Sequence, residues 1–83
     1  MKPITPPDDI TPSDYVALTL RQLALILDPR LGRLSVLAKE FDMEPATLHL
    51  WVKNGRIPAK SCRRLFKAFG RKWVDVKRLT GGA

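Results

Sequence analysis

Residues 34–58 constrain this chain more than any other stretch, because two short apolar periodicities of helical spacing face each other across a break only wide enough for a tight turn. Leu34, Leu37, Ala38 and Phe41 recur at helical spacing, and beyond Asp42-Met43 a second set follows at Leu48, Trp51 and Val52. Pro45 suits the first position of the second helix, since its missing N–H would have no intrahelical partner there. Asn54-Gly55 tolerates a left-handed helix end and Pro58 lies just beyond, so this helix is expected to stop near Lys53, after about nine residues. At about 100° per residue, Leu48, Trp51 and Val52 fall on one side and Ala46, His49, Leu50 and Lys53 on the other. The first side is core and the second is left for a partner. Ala38 falls where the two helices cross, a place that needs a small side chain, and Met43 plugs the corner between them.

This is a helix-turn-helix arrangement. Leu37-Ala38, Phe41, Met43, Leu48 and Trp51, followed by Asn54-Gly55-Arg56-Ile57-Pro58, resemble the Cro/repressor-type helix-turn-helix, in particular the small phage Cro-like proteins of the YdaS-like group. The resemblance covers roughly residues 16–70. The family usually carries glycine at the turn, where this chain has Asp42, a residue able to visit the left-handed region. It also carries a polar, often glutamine-containing start to the second helix, where this chain has Glu44-Pro45-Ala46. The resemblance implies a lambda-repressor-like, all-α domain whose second motif helix enters the major groove of double-stranded DNA while flanking groups hold phosphates. Combined with the helical wheel, it makes Ala46, Thr47, His49 and Leu50 base-facing, and Lys53, Asn54, Arg56 and Lys60 phosphate-facing. With no amide-bearing reader of adenine at the helix start, the expected binding is sequence-specific or semi-specific.

The charge distribution points the same way. The net charge is +7, yet residues 53–83 hold ten Lys/Arg against Asp75 alone, a net +9, while residues 1–52 are at −2. A half so basic seeks a polyanion. A helix expected from near Pro58 to Gly70 shows the pattern locally: Ala59, Cys62, Leu65, Phe66 and Phe69 form an apolar stripe, and Lys60, Arg64, Lys67 and, past the end, Arg71 lie on the opposite arc. Like charges four apart cost a few tenths of a kcal/mol each, which a purely solubilising face avoids by mixing signs. Arg64 is therefore added to the phosphate-facing set. Arg33 and Ser35 join it because they stand at the positive N-terminus of the first motif helix.

The remainder of the chain supplies a scaffold. An 83-residue chain has room for one small core and buries about 60% of its extended surface. The expected organisation is a flexible proline-rich arm over 1–12, the helix-turn-helix domain over 13–72 and a tail over 73–83, with four to five short helices in all. Four prolines, at positions 3, 6, 7 and 12, keep the arm out of a helix. Thr11 caps the first helix, Pro12 opens it, and Pro29 closes it at about Asp28. Val16, Leu20, Leu23, Ala24 and Leu27 make its core stripe. Tyr15, Leu18, Leu25 and Ile26 are surplus to that stripe and serve either to close the core or to form a seam with a second copy. The tail Arg71-Lys-Trp-Val-Asp-Val-Lys-Arg-Leu79 fits a helical turn by Trp73, Val76 and Leu79 or a short extended strand by Val74 and Val76.

No catalytic constellation is visible. His49, the sole histidine, would have to serve Ser35, Ser61 or Cys62 with no orienting acid and no oxyanion loop. One Cys and one His within a chain do not make a zinc site, and a lone buried thiol makes no internal disulfide. The expectation is therefore a cytoplasmic, non-enzymatic phage or prophage transcriptional regulator, a repressor of the Cro-like kind. It needs no cofactor, metal, small-molecule ligand or membrane, and it is a homodimer at least on DNA. The alternative is a protein–protein interaction module on the same scaffold, docking through Leu50, Ala46 and the surplus apolar side of the first helix.

Overall fold

Thr11 sets where the first helix begins: in extended backbone, its side-chain oxygen accepts from the Asp14 amide at 3.1 Å, and Pro12 follows as the first helical residue. The computed structural model describes residues 9–81. Five helices follow in order: α1 (Pro12–Leu27), α2 (Leu34–Glu40), α3 (Pro45–Asn54), α4 (Ala59–Phe69) and α5 (Val76–Leu79). Among the described residues there is no strand, and the fold is all-α, as expected. The first eight residues of the proline-rich arm lie outside the described part, and at its end Thr11 caps and Pro12 opens α1, as expected.

The long helix α1 is the element the others pack on, with α2, α3 and α5 all against it. Val16, Leu20, Leu23 and Ala24 form its inner stripe and are almost completely buried. They meet Leu37, Ala38 and Phe41 of the α2 segment and Leu48 and Trp51 of α3, while Cys62 and Leu65 of α4 complete the core. Of the surplus apolar residues of α1, Tyr15 and Ile26 pack against this core from its edge, as does Leu27, which is half-buried rather than inside.

The C-terminal segment belongs to the same core. Val74 is 1% exposed and Leu79 fully buried. Residues 76–79 take the helical option, capped by Asp75, whose carboxylate accepts from the Arg78 amide at 3.1 Å. No strand pairs with them, and the extended option is set aside. The Leu79 carbonyl accepts from the Ile57 amide at 2.7 Å, tying α5 to the loop that leaves α3. Ile57, read from sequence as part of an exit loop, is fully buried as a result. The stripe foreseen on α4 is narrower than expected: Cys62 and Leu65 are inside, but Ala59 is exposed and Phe66 is 39% open. Phe69, on the other side of the stripe, packs on Phe41 with ring centroids 5.9 Å apart, which leaves Ala59 and Phe66 as its open flank. Among the described residues no helix is long and apolar enough to cross a membrane.

Candidate nucleic-acid interface

The angle between α2 and α3 is set by a helix end with two crossed hydrogen bonds. The Met43 amide donates to the Ala38 carbonyl at 2.9 Å and the Asp42 amide to Lys39 at 3.1 Å, the Schellman pattern. That pattern requires its penultimate residue in the left-handed region, and Asp42 sits there at φ +55°, the one non-glycine residue among those described with a positive φ. Glu44 then turns into extended backbone and Pro45 starts α3. Ala38 is fully buried under the crossing. Because Leu48 and Trp51 are committed inward, the opposite side of α3 faces out: Ala46, His49, Leu50 and Lys53 are exposed and Thr47 is half-buried. Leu50 is 53% exposed, a large apolar side chain held in water at the middle of a ten-residue helix.

The exit from α3 repeats the device. Gly55 lies at φ +71°, its amide donates to Val52 at 3.1 Å, and the Arg56 amide donates to Trp51 at 3.2 Å. The glycine is required twice over, because a Cβ here would also stand 3.0 Å from Pro12 Cβ at the start of α1. With Ile57 fastened to Leu79 immediately afterwards, Arg56 projects from a fixed backbone rather than from a loose loop. Asn54, Arg56 and Lys60 are all exposed beside the outward face of α3.

Two residues expected to hold phosphate are already engaged. Arg33 pairs with Asp28, Nε to Oδ2 at 3.0 Å, and its own amide donates to the same oxygen at 3.2 Å. The seat foreseen at the start of α2 thus holds a carboxylate of the chain itself, and Ser35 stands exposed beside it. The Arg33 side chain, and then its amide, hold the Asp28 carboxyl below its ordinary value by hydrogen bonding. Arg64 turns toward the protein: its Nη2 donates to the Phe41 carbonyl at 3.1 Å, and its guanidinium lies 5.6 Å from the Phe41 ring centroid. It satisfies a carbonyl at the C-terminal end of α2, where a cation is favoured, and braces the turn from behind. A contact 23 residues away in sequence leaves no local trace, so the helical wheel of α4 had no means of finding it.

The cations beside the exit of α3 and along the open side of α4 form no ion pair with a described residue. Among the described residues, Asp28–Arg33 is the ion pair formed, and Lys53, Arg56, Lys60, Arg63 and Lys67 are exposed with no acidic partner. Arg78 lies 4.0 Å from the Tyr15 ring centroid, which locks α5 to α1. Burial raises the Tyr15 hydroxyl above its usual pKa, and Asp75 adds to the effect. His49 and Cys62 are not brought together, since the histidine is exposed on α3 and the thiol is buried in α4. Burial, then Asp75, pushes the Cys62 thiol up, so it stays protonated and weakly nucleophilic. Among the described residues no three His, Cys, Asp or Glu side chains are grouped as metal ligands would be. Compared with protein-family models, curated proteins and solved structures, the chain finds no match in any of the three.

Proposed function

We propose that the protein binds double-stranded DNA by laying the outward face of α3 in the major groove, and acts as a small transcriptional regulator of the Cro/repressor kind. The observation that carries this reading is the exposed face of α3, with Leu50 at its centre and unpaired cations at its exit. A ten-residue helix is about 15 Å long, short enough to lie within a groove about 12 Å wide and follow it. Ala46 and Leu50 then meet thymine methyl groups, and His49 and Thr47 reach a base edge or a nearby phosphate. Lys53, Asn54, Arg56 and Lys60 hold backbone phosphates and fix register without reading sequence. Pairing of two copies on a two-fold-symmetric site belongs to the proposal, because one short helix reads few base pairs.

Affinity measured from 50 to 300 mM salt tests it. With four to six phosphates neutralised, log affinity falls against log salt with a slope of about −4 to −6. A slope near zero removes the electrostatic basis of the reading. The exposed Leu50 and Ala46 also support docking of a protein on this same face. If the face serves a protein instead of DNA, duplex DNA does not displace that partner.

A further inference from the structure

Away from α3, the end of α1 and the segment before α5 enclose an open cleft of about 400 Å³, lined by Leu25, Ile26, Pro29 and Trp73. That volume lies at the lower end of the range of about 300–1,000 Å³ typical of binding pockets and holds one or two bulky side chains. Its wall is built in. Gly32, at φ +61°, lets the α1–α2 loop lie directly on Leu25, since a Cβ there would stand 2.6 Å from Leu25 Cδ2. The lining offers hydrocarbon and an indole, with no carboxylate, amide or hydroxyl to read a base edge, which argues for an apolar side chain rather than a nucleobase.

The charged residues next to the lining in sequence are mainly cations. Arg30 follows Pro29 in the chain, Arg71 and Lys72 precede Trp73, and all three are exposed. The Lys72 ammonium is held 5.7 Å from the Trp73 ring centroid, beside the opening. Of the nearest acids in sequence, Asp28 is taken by Arg33, and Asp75 accepts from the Arg78 amide at the start of α5. A second copy of the chain would bring the same cations against these, so like charges oppose self-pairing here. An acidic partner is attracted instead.

We infer that this cleft is a docking site for an acidic peptide segment of another protein, which inserts a bulky apolar side chain between Leu25 and Trp73 while its carboxylates meet Arg30, Arg71 and Lys72. The site shares no residue with the DNA-facing set, so the chain can hold DNA and a protein segment at once. A small regulator with one such cleft has a route for recruiting a second factor.

The test is a titration of the full chain, labelled with ¹⁵N, with a synthetic twelve-residue peptide of glutamates and aspartates around one phenylalanine. The chain has two indole N–H groups, from Trp51 and Trp73, and Trp51 is buried at 5% exposure, so it serves as the internal reference. The Trp73 resonance moves and saturates while that of Trp51 stays. Affinity falls at least tenfold when the peptide's phenylalanine is replaced by alanine, when its acids are replaced by lysines, or in the Arg30→Glu/Lys72→Glu protein. Both protein changes are on exposed side chains, and an unchanged Trp51 resonance confirms that the fold is kept. An unmoved Trp73 resonance overturns the inference, as does equal binding of the alanine peptide. Movement of Trp73 by protein concentration alone assigns the cleft to a second copy, and stronger movement by a single-stranded oligonucleotide assigns it to nucleic acid. Either result overturns the inference as well. DNA binding through α3 is read separately on duplex DNA, so the two proposals fail independently.

Discussion

Asp42 carries a conformational cost that the turn imposes. Left-handed backbone costs an L-residue roughly 1–2 kcal/mol, less for Asp and Asn, and glycine avoids it. Asp42→Gly is expected to raise stability by about 0.5–1 kcal/mol in denaturant unfolding, and Asp42→Val to lower it by more than that. Equal stability of all three would mean that the turn is not held in this conformation. Asp28 gives a second residue-level test. Its carboxyl is held below its ordinary value in the folded state, so the Arg33 pairing stabilises the protein above the unfolded pKa of about 4, and the benefit is lost as pH falls through the lowered folded value. In Asp28→Asn the extra loss of stability as pH falls below about 4 is absent, as thermal melts over an acid series will show.

At the scale of the element, the α2–α3 crossing and the α5 clamp hold the candidate interface in place. Ala38→Glu puts a charge into a fully buried crossing and is expected to unfold the domain or cost more than about 4 kcal/mol. Leu79→Ala leaves a cavity under the loop that carries Arg56 and costs about 2–5 kcal/mol in urea unfolding. A Leu79→Ala protein of wild-type stability is incompatible with α5 being part of the core. These two elements differ in how far they were legible in the sequence. The start and stop signals of α1 and α3 are local, being Thr11-Pro12, Pro45 and Asn54-Gly55, and each appears at its expected place within a residue. The role of α5 is not local. Val74 and Leu79 are buried in a core shared with α1, at the other end of the chain, as well as with the preceding α4, and neither period of the tail dominates over so few residues. Asp75 is a further sequence signal beside that spacing, a residue well suited to cap the short helix after it.

For the whole molecule, the outward side of the candidate site was legible in the sequence because it is what remains once the core periodicity is removed. Ala46, His49, Leu50 and Lys53 are exposed for that reason. The distribution of free and engaged cations was not legible. A helical wheel cannot distinguish Lys60, which is open, from Arg64, which is bound to Phe41, because that difference arises only when α4 is brought against the end of α2. The net +9 of the C-terminal half therefore overstates the charge available to a polyanion at one place.

If α3 reads sequence and its exit holds phosphates, as proposed, a single anisotropy experiment separates the two roles. Wild type, Leu50→Ala and Arg56→Ala are titrated at matched salt onto a duplex selected from random sequence and onto its scrambled counterpart. Both residues are exposed, so circular dichroism should show unchanged helix content. Leu50→Ala is expected to lose about 1 kcal/mol or more on the selected duplex and little on the scrambled one, which narrows the ratio between them. Arg56→Ala is expected to weaken both equally and to reduce the salt slope by about 1. If Leu50→Ala weakens both duplexes alike while Arg56→Ala changes which duplex is preferred, α3 is not the reading helix.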